Sequence, residues 1–166
     1  MKNAPDDRSD GRHPGIQIAE APVCSLLLQV VRAHAQLATE MLHEVGVVPP
    51  QEVVLLYLDD HGTCTQTELV RFMGRDRPTV TNTLQSMQRS GLIERRRSTT
   101  DARTMLVSLS ERGGELVPGI RRIWERLEEE TVGQLEAGLR DEFARALRLI
   151  RSNLWSILAG DKSTAE

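Results

Sequence analysis

Residues 76–113 read DRPTVTNTLQSMQRSGLIERRRSTTDARTMLVSLSERG, and two different periodicities meet inside this run. In its first third, Val80, Leu84 and Met87 recur at i, i+4 and i+7 and make one apolar stripe. Pro78, Asn82, Gln85 and Arg89 fall on the opposite side at about 100° per residue, flanked by Thr79, Thr81 and Ser86. Asp76 is placed to cap such a helix, and Pro78 stands in its first turn, where a missing N–H does no harm. After Gly91 the period changes: Leu92–Arg97 and Thr104–Leu109 are β-rich runs joined by a polar tip, Ser98–Arg103. The stretch predicts a short helix with a narrow anchoring stripe, followed by a wing-like basic hairpin.

The polar face of that helix suits a DNA major groove. Asn and Gln pair bidentately with adenine, Arg pairs with guanine, and Thr methyls meet thymine methyls. Charge distinguishes this reading from a merely solvated face. Residues 71–103 hold eight arginines (71, 75, 77, 89, 95, 96, 97 and 103) against Asp76, Glu94 and Asp101, a local charge of +5 in a chain whose net charge is −3. Every base in the segment is arginine, whose fork matches phosphate and guanine geometry. Aromatic content is only 3%. Few rings are available to stack single-stranded bases, which favours duplex DNA as the partner.

Working outward, Thr65 and Glu68 form a Ser/Thr-x-x-Glu capping box at the start of a short helix ending near Gly74. Gln51 to about Asp60 reads as another helix, set off by Gly46, Pro49 and Pro50. Before it, a long helix is expected from roughly Ile18 to Val45. Its polar residues Ser25, Gln29, Arg32, Gln36, Glu40 and His43 share one arc, and apolar side chains fill most of the rest. One small domain cannot cover so wide an apolar surface, which implies a second subunit. Beyond the hairpin, Glu115 to about Gln134 and Arg140 to Leu158 repeat apolar positions, the latter at Phe143, Leu147, Ile150, Leu154 and Leu158. The expected organisation is a disordered tail over 1–17, a dimerisation helix over 18–47, a DNA-binding region over 48–113, C-terminal dimerisation helices over 114–158 and a frayed tail over 159–166.

The ordered set of motifs resembles the MarR-type winged-helix transcriptional regulators. Thr65–Leu69 precede the groove helix, Arg77–Thr81 open it, Ser90–Arg95 close it, Asp101-Ala102-Arg103 matches the family's Asp-x-Arg at the wing tip, and Val107–Gly113 lead into the next helix. The resemblance extends over about 23–158. It implies a mainly α (α+β) fold: a winged helix-turn-helix domain with N- and C-terminal dimerisation helices. It implies a homodimeric regulator reading an inverted-repeat operator, with repression the expected mode and half-sites near one ~34–36 Å turn or a multiple apart. Base readout is expected from Thr81, Asn82, Gln85 and Arg89, and phosphate contact from the helix start, Asp76 to Thr79 with Arg77 and Pro78, and from Thr67, Arg71, Arg75, Arg95, Arg96 and Arg97. By resemblance Arg103 enters the minor groove, and Asp101 is expected to orient it through an ion pair.

The resemblance also implies release by a small aromatic ligand or by oxidation of a cysteine. Effector-pocket candidates are Arg32, His34 and Tyr57; His34 stands about opposite the polar arc, among Val30, Leu37 and Met41, where a core or interface histidine is the simpler reading. Cys24, near the start of the first helix, is the redox candidate, although the family's hydroperoxide sensors surround theirs with tyrosines and this chain has only Tyr57. Cys64 is expected to be packing. Cys24 and Cys64 match no zinc spacing, and no two of the four histidines stand at i, i+4, so no metal and no cofactor are expected. The chain lacks a phosphate loop, a nucleophile elbow and a paired-carboxylate constellation, so an enzyme is not expected. It also lacks an apolar run of ~20 residues, and a cytoplasmic protein is expected. Two alternatives stay open: a thiol-based redox regulator working through Cys24, and a winged-helix protein-interaction module that does not bind DNA.

Overall fold

The computed structural model describes residues 15–101 and 103–160. Most of the expected N-terminal tail, the C-terminal tail beyond 160, and Ala102 of the wing motif lie outside them. The elements run α1 (Pro22–His43), α2 (Gln51–His61), β1 (Cys64–Thr65), α3 (Gln66–Met73), α4 (Arg77–Arg89), β2 (Ile93–Arg97), β3 (Met105–Leu109), α5 (Glu111–Val132) and α6 (Ala137–Gly160). The chain divides into two compact units, with the division inside α5 between Trp124 and Glu125.

The first unit is built on a three-stranded antiparallel sheet, β3 in the middle with β1 and β2 on either side. Arg95 of β2 and Cys64 of β1 both stand opposite Val107 of β3. β1 was not expected: two residues give no alternation to read, and its partner lies some forty residues on. The core beneath is supplied by every helix of the unit. Leu42, Val54, Leu55, Leu58, Leu69, Val80, Leu84, Met87, Val107 and Ile120 are all essentially inaccessible. The stripe of α4 accordingly sits in this core, as the period predicts.

Local chemistry sets the helix limits. α1 begins at Pro22, four residues later than expected, because the segment before it turns back on the helix. The Ala21 N–H donates to the Ile18 carbonyl at 3.0 Å and the Ile18 N–H to Ser25 Oγ at 2.8 Å. Ser25 is thus buried and leaves the polar arc. α3 starts in the expected box: the Glu68 N–H donates to Thr65 Oγ1 (3.2 Å), and the Thr65 N–H to Glu68 Oε2 (2.6 Å). It ends at Gly74, whose φ of 59° is the left-handed turn that leads into α4. α5 starts at Glu111, not Glu115. Ser110 caps it by accepting the Gly113 N–H at 3.0 Å, and its hydroxyl donates to the Gly91 carbonyl at 2.6 Å. Gly113 is needed there for space, since a Cβ would run into the Leu92 carbonyl oxygen. Arg121 of α5 bridges Asp59 and Asp60 at the end of α2, at 2.7 and 2.6 Å.

The second unit comprises the end of α5, a turn and α6, which begins at Ala137 and reaches Gly160. No residue of α6 is buried, and Phe143, Leu147, Ile150, Leu154 and Leu158 are all exposed. No helix among the described residues is long and apolar enough to cross a membrane.

Candidate nucleic-acid interface

α3 and α4 form a helix-turn-helix, and the outer face of α4 is the one predicted. Pro78, Thr79, Asn82, Gln85 and Arg89 are exposed, while Val80, Leu84 and Met87 are fully covered. Asp76 fixes the N-terminus by accepting the Thr79 N–H at 2.9 Å and the Thr79 hydroxyl at 2.7 Å. The Thr79 hydroxyl, and next its backbone N–H, hold the Asp76 carboxyl below its usual range. Arg77 Nη2 donates to Thr67 Oγ1 at 3.2 Å, joining the first turns of the two helices. Arg71 and Arg75 are exposed at the end of α3 and in the turn after it.

The wing is the hairpin of β2 and β3, with Ile93 opposite Leu109 and Arg97 opposite Met105. Arg96 and Arg97 are exposed. Arg95 is half-buried, and its Nη2 donates to Gln66 Oε1 at 2.7 Å. At the tip, the expected ion pair between Asp101 and Arg103 is replaced by a backbone contact. Asp101 Oδ1 accepts the Arg103 N–H at 2.9 Å, and Oδ2 accepts the Thr104 hydroxyl at 2.7 Å. The Thr104 hydroxyl and then the Arg103 N–H keep the Asp101 carboxyl below its ordinary range. A carboxylate two residues back reaches a turn N–H more readily than it reaches a guanidinium on a long stem, so Asp101 shapes the loop on which Arg103 is exposed.

Sequence reasoning missed Gln66. Its side chain, only 8% exposed, donates through Nε2 to Thr81 Oγ1 at 2.7 Å as well as accepting from Arg95. These contacts span 15 and 29 positions, which no local pattern encodes.

The effector candidates are not brought together. Arg32 lines a recess on α1 with Ile16, Leu28, Gln29 and Gln36. Tyr57 lines a separate cleft of about 180 Å³ with Val53, Leu56, Phe72 and Trp124. The Tyr57 ring stacks on His61 at 4.2 Å and leans on Phe72 at 4.3 Å. His34 faces the Trp124 ring at 6.3 Å. Trp124, another residue that sequence reasoning passed over, has a buried Nε1 with no partner among the described residues. Cys24 is exposed; Cys64 is buried, and desolvation, with the nearby Glu68 charge, pushes its thiol up to about 11.

A model of the MarR family matches residues 48–105, the region from just before α2 to the first residue of β3. The chain is 31% identical over 108 residues to the uncharacterized HTH-type transcriptional regulator YdcH of Bacillus subtilis (strain 168), covering 63% of this chain and 74% of that protein. The chain belongs to the MarR family. Within it, the chain is 34% identical over 97 residues to the organic hydroperoxide resistance transcriptional regulator of the same organism, covering 58% of this chain but only 66% of that relative. The structure of the S. aureus MepR–DNA complex superposes with a TM-score of 0.74 at 26% identity, covering 79% of this chain and 97% of that one. The winged-helix fold expected from the sequence is therefore the fold of the MarR family, and its characterised relatives are transcriptional regulators.

Proposed function

We propose that this MarR-family chain is a homodimeric, sequence-specific regulator that binds an inverted repeat in duplex DNA and represses transcription. The observation that carries the reading is the placement of α4: its Asn82, Gln85 and Arg89 face outward on the same unit as the arginine-bearing wing, while its stripe is locked in the core. Thr67, Arg71, Arg75, Arg77, Arg96 and Arg103 are the exposed groups available to phosphates around it. MepR, a protein of the same fold, has been crystallised with DNA, which supports the partner class.

Dimerisation through the N-terminal helix (18–47) and the C-terminal helices (114–158) is supported by what a single chain leaves uncovered. On α1, Val23 is 72% exposed, and Leu26, Leu28, Val30 and Val31 are about half exposed or more; Leu149, Leu154, Trp155 and Leu158 of α6 are exposed likewise. Apolar surface on this scale marks an interface. A small aromatic ligand that releases the DNA would find the rings of Tyr57, Phe72 and Trp124 in their shared cleft. The alternative signal, oxidation at Cys24, is favoured by the exposure of that thiol in the first turn of α1 and by the likeness to a hydroperoxide-resistance regulator.

Selection of bound duplexes from a random pool, followed by titration at several salt concentrations, tests the reading. Asn82→Ala and Gln85→Ala are expected to cost about 1–3 kcal/mol on the selected site and to relax base preference, whereas Arg103→Ala weakens all duplexes alike. Equal losses on selected and random duplexes for the α4 variants would remove the base-reading assignment. A monomer in solution, or no retained duplex at low salt, would leave only a protein-interaction module.

A further inference from the structure

Two hydrogen bonds of the Gln66 side chain connect the two DNA-facing elements through one buried amide. Arginine can only donate, so Gln66 must turn Oε1 toward Arg95, which leaves Nε2 for Thr81. The Thr81 hydroxyl, already accepting from Gln66, must then donate its own proton, and it does so to the Arg77 carbonyl at 2.8 Å. The chain of donors has one direction, from Arg95 through Gln66 and Thr81 to the Arg77 carbonyl. Arg95 gets within reach because it shares a sheet row with Cys64, two residues before Gln66. Its Nε is buried with no partner among the described residues. An atom without accessible surface cannot meet a phosphate, and Nη2 is bonded to Gln66, so two of the three guanidinium nitrogens of Arg95 are committed to the domain.

We propose that Gln66 is a positioning residue for DNA binding, which ties α4 to the wing through Thr81 and Arg95, and that Arg95 acts as a strut instead of a phosphate contact. The proposal rests on the DNA-binding reading above, and it changes the roles of two residues that the sequence assigned to DNA. The hydroxyl of Thr81 is committed inward, leaving its methyl group for the groove. Arg95 differs from its strand neighbour Arg96, which is exposed.

Salt dependence separates a strut from a contact, because each arginine that neutralises a phosphate contributes about 0.9 to the slope of log affinity against log salt. In full-length protein, Arg96→Ala is expected to lower that slope by about 0.9, whereas Arg95→Ala and Gln66→Ala keep the wild-type slope. Both weaken binding about tenfold, the loss typical of a hydrogen bond to a charged group. The double variant is expected to lose no more than either single one, since the two substitutions cut the same link. Thr81→Val, which keeps the shape and removes the hydroxyl, should reproduce the Gln66→Ala loss. A slope reduced by about 0.9 in Arg95→Ala, or losses that add in the double variant, would overturn the proposal. A DNA-independent reading comes from NMR of the unbound protein. The Arg95 side-chain N–H signals are expected to exchange slowly with water and to collapse to the behaviour of Arg96 in Gln66→Ala. If they exchange rapidly in the wild type the strut does not exist, whereas slow exchange in a protein that retains no duplex would sink the DNA reading alone.

Discussion

Two adjacent glycines in the first turns of α5 should respond to alanine with opposite signs. At Gly113 the added methyl group meets the Leu92 carbonyl, with the carbonyl carbon at 3.1 Å and Leu55 Cδ2 at 3.3 Å. The obstruction is backbone. That carbonyl also accepts the Ser110 N–H at 3.3 Å, and it sits where Ser110 and Arg112 bind the Ser90–Gly91 turn, so it cannot rotate aside. Overpacking of this sort costs about 1–3 kcal/mol, and more where the backbone has to move. Replacing glycine inside a helix returns about 1 kcal/mol, so Gly113→Ala is expected to be net destabilising by about 1–2 kcal/mol. At Gly114 nothing lies within 4 Å of the added carbon. Gly114→Ala therefore keeps only the helix term and gains up to about 1 kcal/mol. The two variants should differ by about 2–3 kcal/mol, or roughly 5–10 °C in Tm for a chain of this size. Urea unfolding at one fixed protein concentration measures this without interference from association. Should both variants shift the same way, or should Gly113→Ala match the wild type, the close approach of α5 to the Leu92 carbonyl is not what seats this helix.

The chemistry of individual groups gives further expectations. With its thiol pushed up to about 11, Cys64 is about one part in a thousand thiolate at pH 8 and should resist iodoacetamide until the chain is unfolded in urea; rapid native-state labelling, read by mass spectrometry, would contradict its burial. Asp76 and Asp101 have folded-state pKa values below their ordinary 3.8, and Glu68 lies below 4.5. In each case the unfolded chain takes up the proton first. The stability these groups contribute is therefore complete above the ordinary value and lost as pH falls through the depressed one. The deficit of Asp76→Ala in urea midpoint should accordingly be full at pH 7 and shrink as pH is lowered below about 4; a deficit independent of pH would mean that the cap works without its charge. Thr65→Ala, which removes the other cap, should cost about 1 kcal/mol by the same assay.

What the sequence disclosed was local. The stripe Val80–Leu84–Met87, the Thr65–Glu68 box and the Asp76 cap are set by residues three or four apart, and the wing by two β-rich runs either side of a polar tip, so periodicity, capping and composition rules find them. Contacts between distant positions were not legible. Gln66 looks like an ordinary first-turn residue until Thr81 and Arg95 are folded against it, and β1 exists only because β3 offers it an edge. The apolar repeat places the start of α5 at Glu115, four residues late, because Ser110 caps the helix ahead of Gly113 and Gly114. Of the effector candidates, Arg32 and Tyr57 line different recesses and His34 lies beside Trp124, placements that depend on tertiary packing. Trp124, whose ring separates His34 from the Tyr57 cleft, carries no sequence signal beyond its size.

The hairpin tip is closed by its own side chains. Ser98 Oγ accepts the N–H groups of Thr100 and Asp101, Asp101 holds Arg103 and Thr104, and the Ser98 N–H donates to the Thr104 carbonyl at 2.9 Å. These bonds all lie within the loop itself. It can be lengthened, shortened or recharged as a self-contained cassette, so the reach of this protein can drift over evolutionary time without repacking a single core side chain.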